Sequence, residues 1–299
     1  MRLIVSLLLC FFIFNIAKAL SISNDNKLAC QLFLGNKYYL FDLEKKKILK
    51  KTQLDNYYDK AFFLSSDKII LQKIPNLYIF DAILLKKEKE FGFSEEIKKI
   101  LTIKEDISKI YFVVFTNYSI RYFVYDKNKQ TIKLLKQKPL IKFNDAVAKD
   151  NLLFVANDTN VSIFKLSHFL GINLLSSKNI NTKDVVYSLD TGKNKYLVLH
   201  YISKEQRKVS WYTKEGMTMK DINLEGRYYK IFFSFDEKEA VLFDQTNSLK
   251  ILSFNGEIKE SSILPEKILE IEKLQDGWIL FTENENIIIL DREFNTIYY

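Results

Sequence analysis

The chain has 299 residues, of which 47% are apolar, 14% aromatic and 27% charged. That much apolar material can form a large core, so the composition excludes a disordered protein. The formal charge of +8 comes mostly from lysines spread along the chain, and solvated side chains explain it without a nucleic-acid partner.

The N-terminus has the pattern of a secretory signal peptide. Arg2 supplies the positive end, residues 3–16 form a hydrophobic stretch, and Ala17-Lys18-Ala19 matches an A-x-A cleavage site. The stretch is shorter than the ~20 residues that a spanning helix needs. We therefore expect residues 1–19 to be removed, with a retained N-terminal anchor as the alternative. The mature chain would be periplasmic or secreted and would have no transmembrane segment.

Cleavage would leave a single cysteine, Cys30, in the mature chain. It lies in an apolar, strand-like run with no basic residue close in sequence, which favours a buried thiol over a reactive one. An internal disulfide would then be impossible, so the fold has to depend on its core.

Two sequence markers repeat along the rest of the chain. One is an apolar and aromatic segment whose last positions are residues 42, 81, 126, 165, 213, 254 and 291. The other is a polar turn, usually with Asp and then Lys, whose Asp positions are 25, 67, 106, 150, 190, 236 and 276. The two markers alternate without a miss at a spacing close to that of a four-stranded propeller blade.

The sequence therefore predicts an all-β fold, a seven-bladed β-propeller of four-stranded antiparallel blades, as a single domain over residues 20–299. The predicted blades cover approximately residues 20–54, 55–93, 94–138, 139–179, 180–225, 226–265 and 266–299.

Five elements, taken in chain order, refine this prediction. Leu20–Ser23 would be the first strand of blade 1. Residues 94–103 have brief helical periodicity but fall where a first strand belongs. Asn255-Gly256 and Asp276-Gly277 predict type I′ hairpin turns. Residues 294–299 would form the last outer strand, so the propeller would close by packing between blades rather than by a strand that the termini share.

These blades resemble the WD-repeat and YVTN-type propeller superfamily over residues 20–299. Phe41-Asp42, Phe80-Asp81 and Tyr125-Asp126 occupy the place of the Trp-Asp pair of WD repeats, and the Ser-x-Asp turns are similar to those of the YVTN type. In length and layout the chain is also similar to the NapL type of periplasmic nitrate-reductase accessory propeller. That resemblance implies an accessory protein of a periplasmic respiratory enzyme.

The sequence lacks the usual patterns of catalytic and metal sites. With only His168 and His200, both expected to be structural, a three-histidine metal site is excluded. No nucleophile elbow, Walker loop, dinucleotide fingerprint or C-x-x-C pair is present. We name no catalytic residue, metal ligand or cofactor. A non-enzyme is expected, and a calcium-dependent, lactonase-like hydrolase at the propeller channel is the alternative.

One face of the predicted propeller is rich in aromatic residues and asparagine. It is formed by the second-to-third and fourth-to-first loops, and its composition is typical of a protein-binding surface. The alternative is that the aromatics begin channel strands and are buried. We predict a monomeric, extracytoplasmic, non-catalytic scaffold or assembly factor, with a glycan- or cell-wall-binding module as a further alternative. The candidate partner-binding residues are Tyr57, Tyr58, Phe91, Phe93, Arg227 and Tyr228.

Overall fold

The computed structural model describes residues 17–23, 25–33, 36–167, 171–244, 247–264 and 266–298. The protein is a seven-bladed β-propeller, in which 28 strands form seven four-stranded sheets. Each sheet consists of four consecutive antiparallel strands, which confirms the predicted fold class. Among the described residues there is no helix with the length and hydrophobicity needed to cross a bilayer.

The strands divide evenly among the blades. Blades 1 to 4 contain β1 (Ala17–Ile22), β2 (Leu28–Phe33), β3 (Lys37–Asp42), β4 (Lys47–Gln53); β5 (Lys60–Phe63), β6 (Lys68–Lys73), β7 (Asn76–Asp81), β8 (Lys87–Gly92); β9 (Ile97–Glu105), β10 (Lys109–Thr116), β11 (Ser119–Asp126), β12 (Thr131–Pro139); β13 (Phe143–Lys149), β14 (Leu152–Asn157), β15 (Asn160–Ser167) and β16 (Gly171–Asn181).

Blades 5 to 7 contain β17 (Val185–Thr191), β18 (Lys195–Ser203), β19 (Gln206–Thr213), β20 (Thr218–Glu225); β21 (Tyr228–Phe233), β22 (Ala240–Asp244), β23 (Ser248–Leu252), β24 (Ile258–Ile263); β25 (Ile268–Lys273), β26 (Trp278–Thr282), β27 (Ile287–Leu290) and β28 (Thr296–Tyr298). The chain divides into two compact units. One contains blades 1, 2 and 7, and the other contains blades 3 to 6.

Two predicted elements can be compared with these strands. The segment 94–103, predicted to contain a first strand despite its helical periodicity, contains the start of β9 at Ile97. Strand β1 begins at Ala17 rather than at Leu20, because Ala17 pairs with Phe33 beyond a bulge in the ladder. Residues 1–16 of the predicted signal peptide lie outside the described residues.

The first sequence marker reflects turn chemistry between the third and fourth strands. In four blades the third strand ends at or just before an Asp whose Oδ1 accepts a backbone N–H three or four residues later. These N···Oδ1 pairs are Lys45 with Asp42 (2.8 Å), Leu84 with Asp81 (2.7 Å), Lys129 with Asp126 (2.9 Å) and Asn295 with Asp291 (2.8 Å). Asp is therefore present because it stabilises the turn locally.

The two turns predicted to be type I′ are different in the structure. At Asn255-Gly256 only Gly256 has a positive φ (100°), because the N–H of Glu257 bonds the Oγ of Ser253 (3.1 Å) and closes a longer turn. At Asp276-Gly277 neither residue has a positive φ. A Cβ on Gly277 would lie 2.1 Å from the carbonyl oxygen of Leu290, so the close approach of the backbone requires glycine there.

The two middle strands of a blade are buried on both faces, because blades pack face to face. Every residue of β26 is buried, for example, whereas outer strand β4 is largely exposed and rich in lysine. Apolar clusters fill the interfaces within each unit. Representative members are Tyr38 with Phe63 for blades 1 and 2, Phe33 with Phe281 for blades 1 and 7, Phe115 with Phe143 for blades 3 and 4, Phe154 with Val198 for blades 4 and 5, and Trp211 with Ile231 for blades 5 and 6.

A polar contact links the first strands of neighbouring blades. A first strand lies at the edge of its sheet, so its outward N–H groups need an acceptor beyond the sheet. At four interfaces this acceptor is a side-chain oxygen on the first strand of the preceding blade. The N–H of Phe63 donates to Ser21 Oγ (2.7 Å), that of Leu189 to Asp145 Oδ2 (3.2 Å), that of Phe233 to Asp190 Oδ2 (2.8 Å), and that of Leu20 to the Glu270 carboxylate.

Asp145 makes the most extensive of these links. Its buried carboxylate also accepts from Ser188 Oγ (3.1 Å) and faces two ammonium groups, with Lys99 Nζ 2.9 Å from Oδ1 and Lys230 Nζ 3.6 Å from Oδ2. Burial by itself would raise the pKa of Asp145. The charges of Lys230 and Lys99 and the Leu189 N–H outweigh burial and hold that pKa well below its usual range.

We expect Asp145→Asn to lower the free energy of unfolding at pH 7 by about 3 kcal/mol, because it removes the buried carboxylate that two partly buried ammonium groups face. Urea denaturation measures this loss. Asp276→Asn is the control, since Asp276 also forms an ion pair, with Arg292, but its side chain is 75% exposed. The loss of unfolding free energy in this variant should stay below about 1 kcal/mol. Equal losses in the two variants would contradict the role given to Asp145.

Candidate functional site

The unit containing blades 1, 2 and 7 holds four of the six predicted partner-binding residues. Tyr57, between β4 and β5, is 52% exposed, and Phe91 in β8 is half-buried. Tyr58 is buried, with its ring edge-on to that of Tyr78 at 5.5 Å between centroids. Phe93 is buried too, and its N–H bonds the carbonyl of Pro75 (2.6 Å). Tyr57 and Phe91 thus reach the surface, and Tyr58 and Phe93 are core residues.

The other two predicted residues lie at the start of blade 6. Arg227 is partly exposed, with 42% of its side chain accessible, and its guanidinium forms a two-pronged ion pair with Glu205, with Nε 2.9 Å from Oε1 and 3.0 Å from Oε2. Tyr228 is fully buried in the cluster between blades 5 and 6. The structure therefore brings Arg227 to the surface beside the β18–β19 turn and places Tyr228 beneath it.

A pair of exposed tyrosines next to Arg227 was missed by the sequence reading. Tyr187 in β17 and Tyr201 in β18 are 38% and 39% exposed, and their rings stack with centroids 6.2 Å apart and planes 24° from parallel. Ile202, the next residue, is 41% exposed. We call these three residues the tyrosine ledge. They lie at the ends of strands that the second-to-third and fourth-to-first loops join, which is the loop face predicted to bind a partner.

Arg207 holds the ledge in position from below. The Arg207 side chain is buried, and its guanidinium carbon lies 5.3 Å from the ring centroid of Tyr187 and 4.8 Å from that of Tyr201. Its N–H groups donate to the carbonyls of Tyr228 (2.8 Å), Ser203 (2.5 Å) and Gln206 (2.9 Å). A planar guanidinium can both stack on aromatic rings and bond several acceptors, which lysine cannot do.

Two β-bulges turn the ledge outward. The pairing of β17 with β18 skips Tyr187, between Val186 and Ser188, and the pairing of β18 with β19 skips Ile202. A bulged residue leaves the regular alternation of the strand, so its side chain can point in a direction that the strand pattern does not predict. The one signal in the sequence was the clustering of Tyr187, Tyr201 and Arg207 within one blade.

His200 and Cys30 are both buried in their neutral forms. His200 is buried, with Nε2 2.9 Å from Ser210 Oγ; burial, and secondly the charge of Lys208, lower its pKa from 6.5 to about 4. Burial, with a smaller contribution from Glu270, raises the pKa of the Cys30 thiol. His168 lies outside the described residues. In the part of the chain that the structure describes, no three His, Cys, Asp or Glu side chains form a group suited to a metal ion.

Comparisons with known proteins identify the fold without a specific family. No protein family and no curated protein matches the sequence. Among solved structures, Hsv2 of Kluyveromyces lactis aligns with a TM-score of 0.68 at 11% identity, over 93% of each chain. The WD40 domain of Neurospora crassa Pan2 aligns with a TM-score of 0.64 at 12% identity, over 92% of this chain and 88% of that chain.

BamB from Moraxella catarrhalis is a third similar structure, with a TM-score of 0.60 at 12% identity, over 92% of this chain and 83% of that chain. At such identities the similarity establishes a β-propeller fold and nothing finer.

We expect His200 to make stability fall with acid. The unfolded histidine takes up a proton near pH 6.5, whereas the folded one does so only near pH 4, so stability is full above pH 6.5 and is lost as the pH falls towards 4. The shift corresponds to about 3 kcal/mol. His200→Gln should lose less stability than the native protein between pH 7 and pH 4 in urea denaturation. If the unfolding free energies of the two proteins fell in parallel between pH 7 and pH 4, that result would contradict a neutral, buried His200.

Proposed function

We propose that this protein is an extracytoplasmic, non-catalytic scaffold or assembly factor that binds a protein partner through the loop face carrying the tyrosine ledge. The observation that carries the proposal is the stacking of Tyr187 and Tyr201 above buried Arg207. Exposed, rigid aromatic side chains are the usual anchors of protein interfaces, because they bury much apolar area and lose little entropy on binding.

The charges around the ledge favour a partner with an apolar centre and an acidic rim. Lys183 lies four residues before Tyr187 and Lys204 three residues after Tyr201, and both are exposed. Arg227 forms an ion pair with Glu205 in the β18–β19 turn, which partly neutralises it. Positive charge at the edge of an apolar patch speeds association with a surface of opposite sign.

The N-terminal pattern supports export. Cleavage after Ala19 would make Leu20 the first residue and turn its backbone nitrogen into an ammonium group. That nitrogen already donates to the carboxylate of Glu270, so the new charge would have a counter-ion.

Because of the resemblance in length and layout to nitrate-reductase accessory propellers, a periplasmic respiratory enzyme is the first partner to test.

The double variant Tyr187→Ala/Tyr201→Ala should weaken partner binding by about thirtyfold or more, the effect of losing a hot spot of about 2 kcal/mol. The partner is first identified by co-purification from periplasm, and its Kd is then measured by calorimetry. Tyr118→Ala is the control, because Tyr118 is 70% exposed in the β10–β11 turn, a loop of the same kind. A ledge variant that binds as tightly as the Tyr118 variant would contradict the proposal.

Export has its own test, which does not depend on a partner. Mass spectrometry of the protein isolated from its native cells should find a mature N-terminus at Leu20, in the soluble extracytoplasmic fraction. A chain that retains residues 1–19 and sediments with membranes would show that the segment is an anchor.

A further inference from the structure

A groove separates the outer parts of blades 1 and 2. Its volume is about 540 Å³, within the range of small-ligand sites. The blades touch where the Tyr38 hydroxyl donates to the carbonyl of Ala82 (3.3 Å) and Lys50 Nζ donates to that of Ile83 (2.8 Å). Beside these contacts the groove lies between β4 on one side and β7 and β8 on the other, and it is open to solvent.

The two walls are faces of sheets, so they present side chains. On the blade 1 side, alternate residues of β4 and its end point into the groove, namely Lys50, Thr52 and Leu54. The blade 2 side has an aromatic floor of Tyr78 and Phe80.

Positively and negatively charged side chains surround this aromatic floor. Lys73 and Asp55 lie at the rim with no ion-pair partner among the described residues. On the blade 2 wall, Lys87 Nζ lies 3.2 Å from a carboxylate oxygen of Glu90 and 5.6 Å above the ring of Tyr78. Both members of that pair are exposed, so the contact is weak and a ligand can displace Lys87 from the ring.

A ligand with a single sign of charge would be repelled by part of this lining. Hydroxyl groups are different, because each one can donate to Asp55 or Glu90 and accept from Lys73 or Lys87. The C–H faces of a sugar ring are apolar and fit against Tyr78. The mixture of donors, acceptors and an aromatic floor therefore matches a polyhydroxylated ligand.

We propose that the groove between blades 1 and 2 binds a short, uncharged oligosaccharide. The ligand's ring faces contact Tyr78, and its hydroxyls bond Thr52, Asp55, Glu90 and Lys73. This site is separate from the tyrosine ledge and goes beyond the proposed scaffold function. Loss of sugar binding and loss of partner binding would come from different variants, so each proposal can fail while the other stands.

The test titrates the full chain with maltotriose, cellotriose and triacetylchitotriose at millimolar concentrations and follows its leucine methyl groups by NMR. At least one of the three sugars should shift the signals of Leu54 and Leu85, which both line the groove. Tyr78→Ala should weaken that binding at least tenfold. Because Tyr78 also contacts Tyr58, the milder variants Asp55→Asn and Lys73→Ala provide a second test at the exposed rim, each with an expected loss of about threefold or more.

The Tyr118→Ala variant, altered far along the chain in blade 3, should bind the sugar as the native protein does. The proposal is overturned if none of the three trisaccharides moves the Leu54 and Leu85 signals. It is also overturned if all three groove variants bind the sugar with the affinity of the native protein. A mixed-charge Lys-Glu-Lys peptide is titrated in parallel. Groove shifts with that peptide and with no sugar would also overturn the proposal, in favour of a peptide site.

Discussion

The structure depends on one constraint, which is that the first strand of every blade is a sheet edge and its outward N–H groups need partners. At four interfaces between blades, Ser, Asp or Glu on the preceding blade's first strand supplies the partner, at Ser21, Asp145, Asp190 and Glu270. The spacing along the chain follows from the blade length, since Asp145 and Leu189, like Asp190 and Phe233, are one blade apart. Apolar packing then fills each interface around these polar links. The blades thus obtain specific alignment from a few buried or partly buried acceptors.

The candidate docking surface is also held by a polar contact between neighbouring blades. Arg207, which positions the rings of Tyr187 and Tyr201, also donates to the carbonyl of Tyr228, the first residue of the next blade's first strand. The ledge is therefore fixed to two blades at once rather than carried by a free loop. Fixing exposed aromatic rings in this way lowers the entropy lost on binding, which is what a docking surface requires.

The sequence predicted the fold well because its markers are local. An Asp that closes a turn acts within a few residues of itself, as at Asp42 or Asp291, so its recurrence reveals the period of the blades. The site was predicted less well. Tyr58, Phe93 and Tyr228 begin or precede first strands and are buried by the neighbouring blade, a tertiary effect that composition cannot reveal. Tyr187 is exposed at a bulge, and Arg207 is buried by long-range contacts, so neither position could be deduced from strand periodicity. The type I′ prediction at Asn255-Gly256 was wrong because Ser253 offered a side-chain acceptor that favoured a longer turn.

Residue-resolved amide hydrogen exchange tests the role of the links between first strands most directly. The N–H groups of Phe63, Leu189 and Phe233 should exchange only through global unfolding, with the same free energy as amides of the buried middle strands such as those of β26. The exposed turn amide of Glu293, bonded to Asp291, should exchange many orders of magnitude faster. If the three first-strand amides exchanged as readily as that turn, the blades would be aligned by apolar packing alone and the account would be wrong.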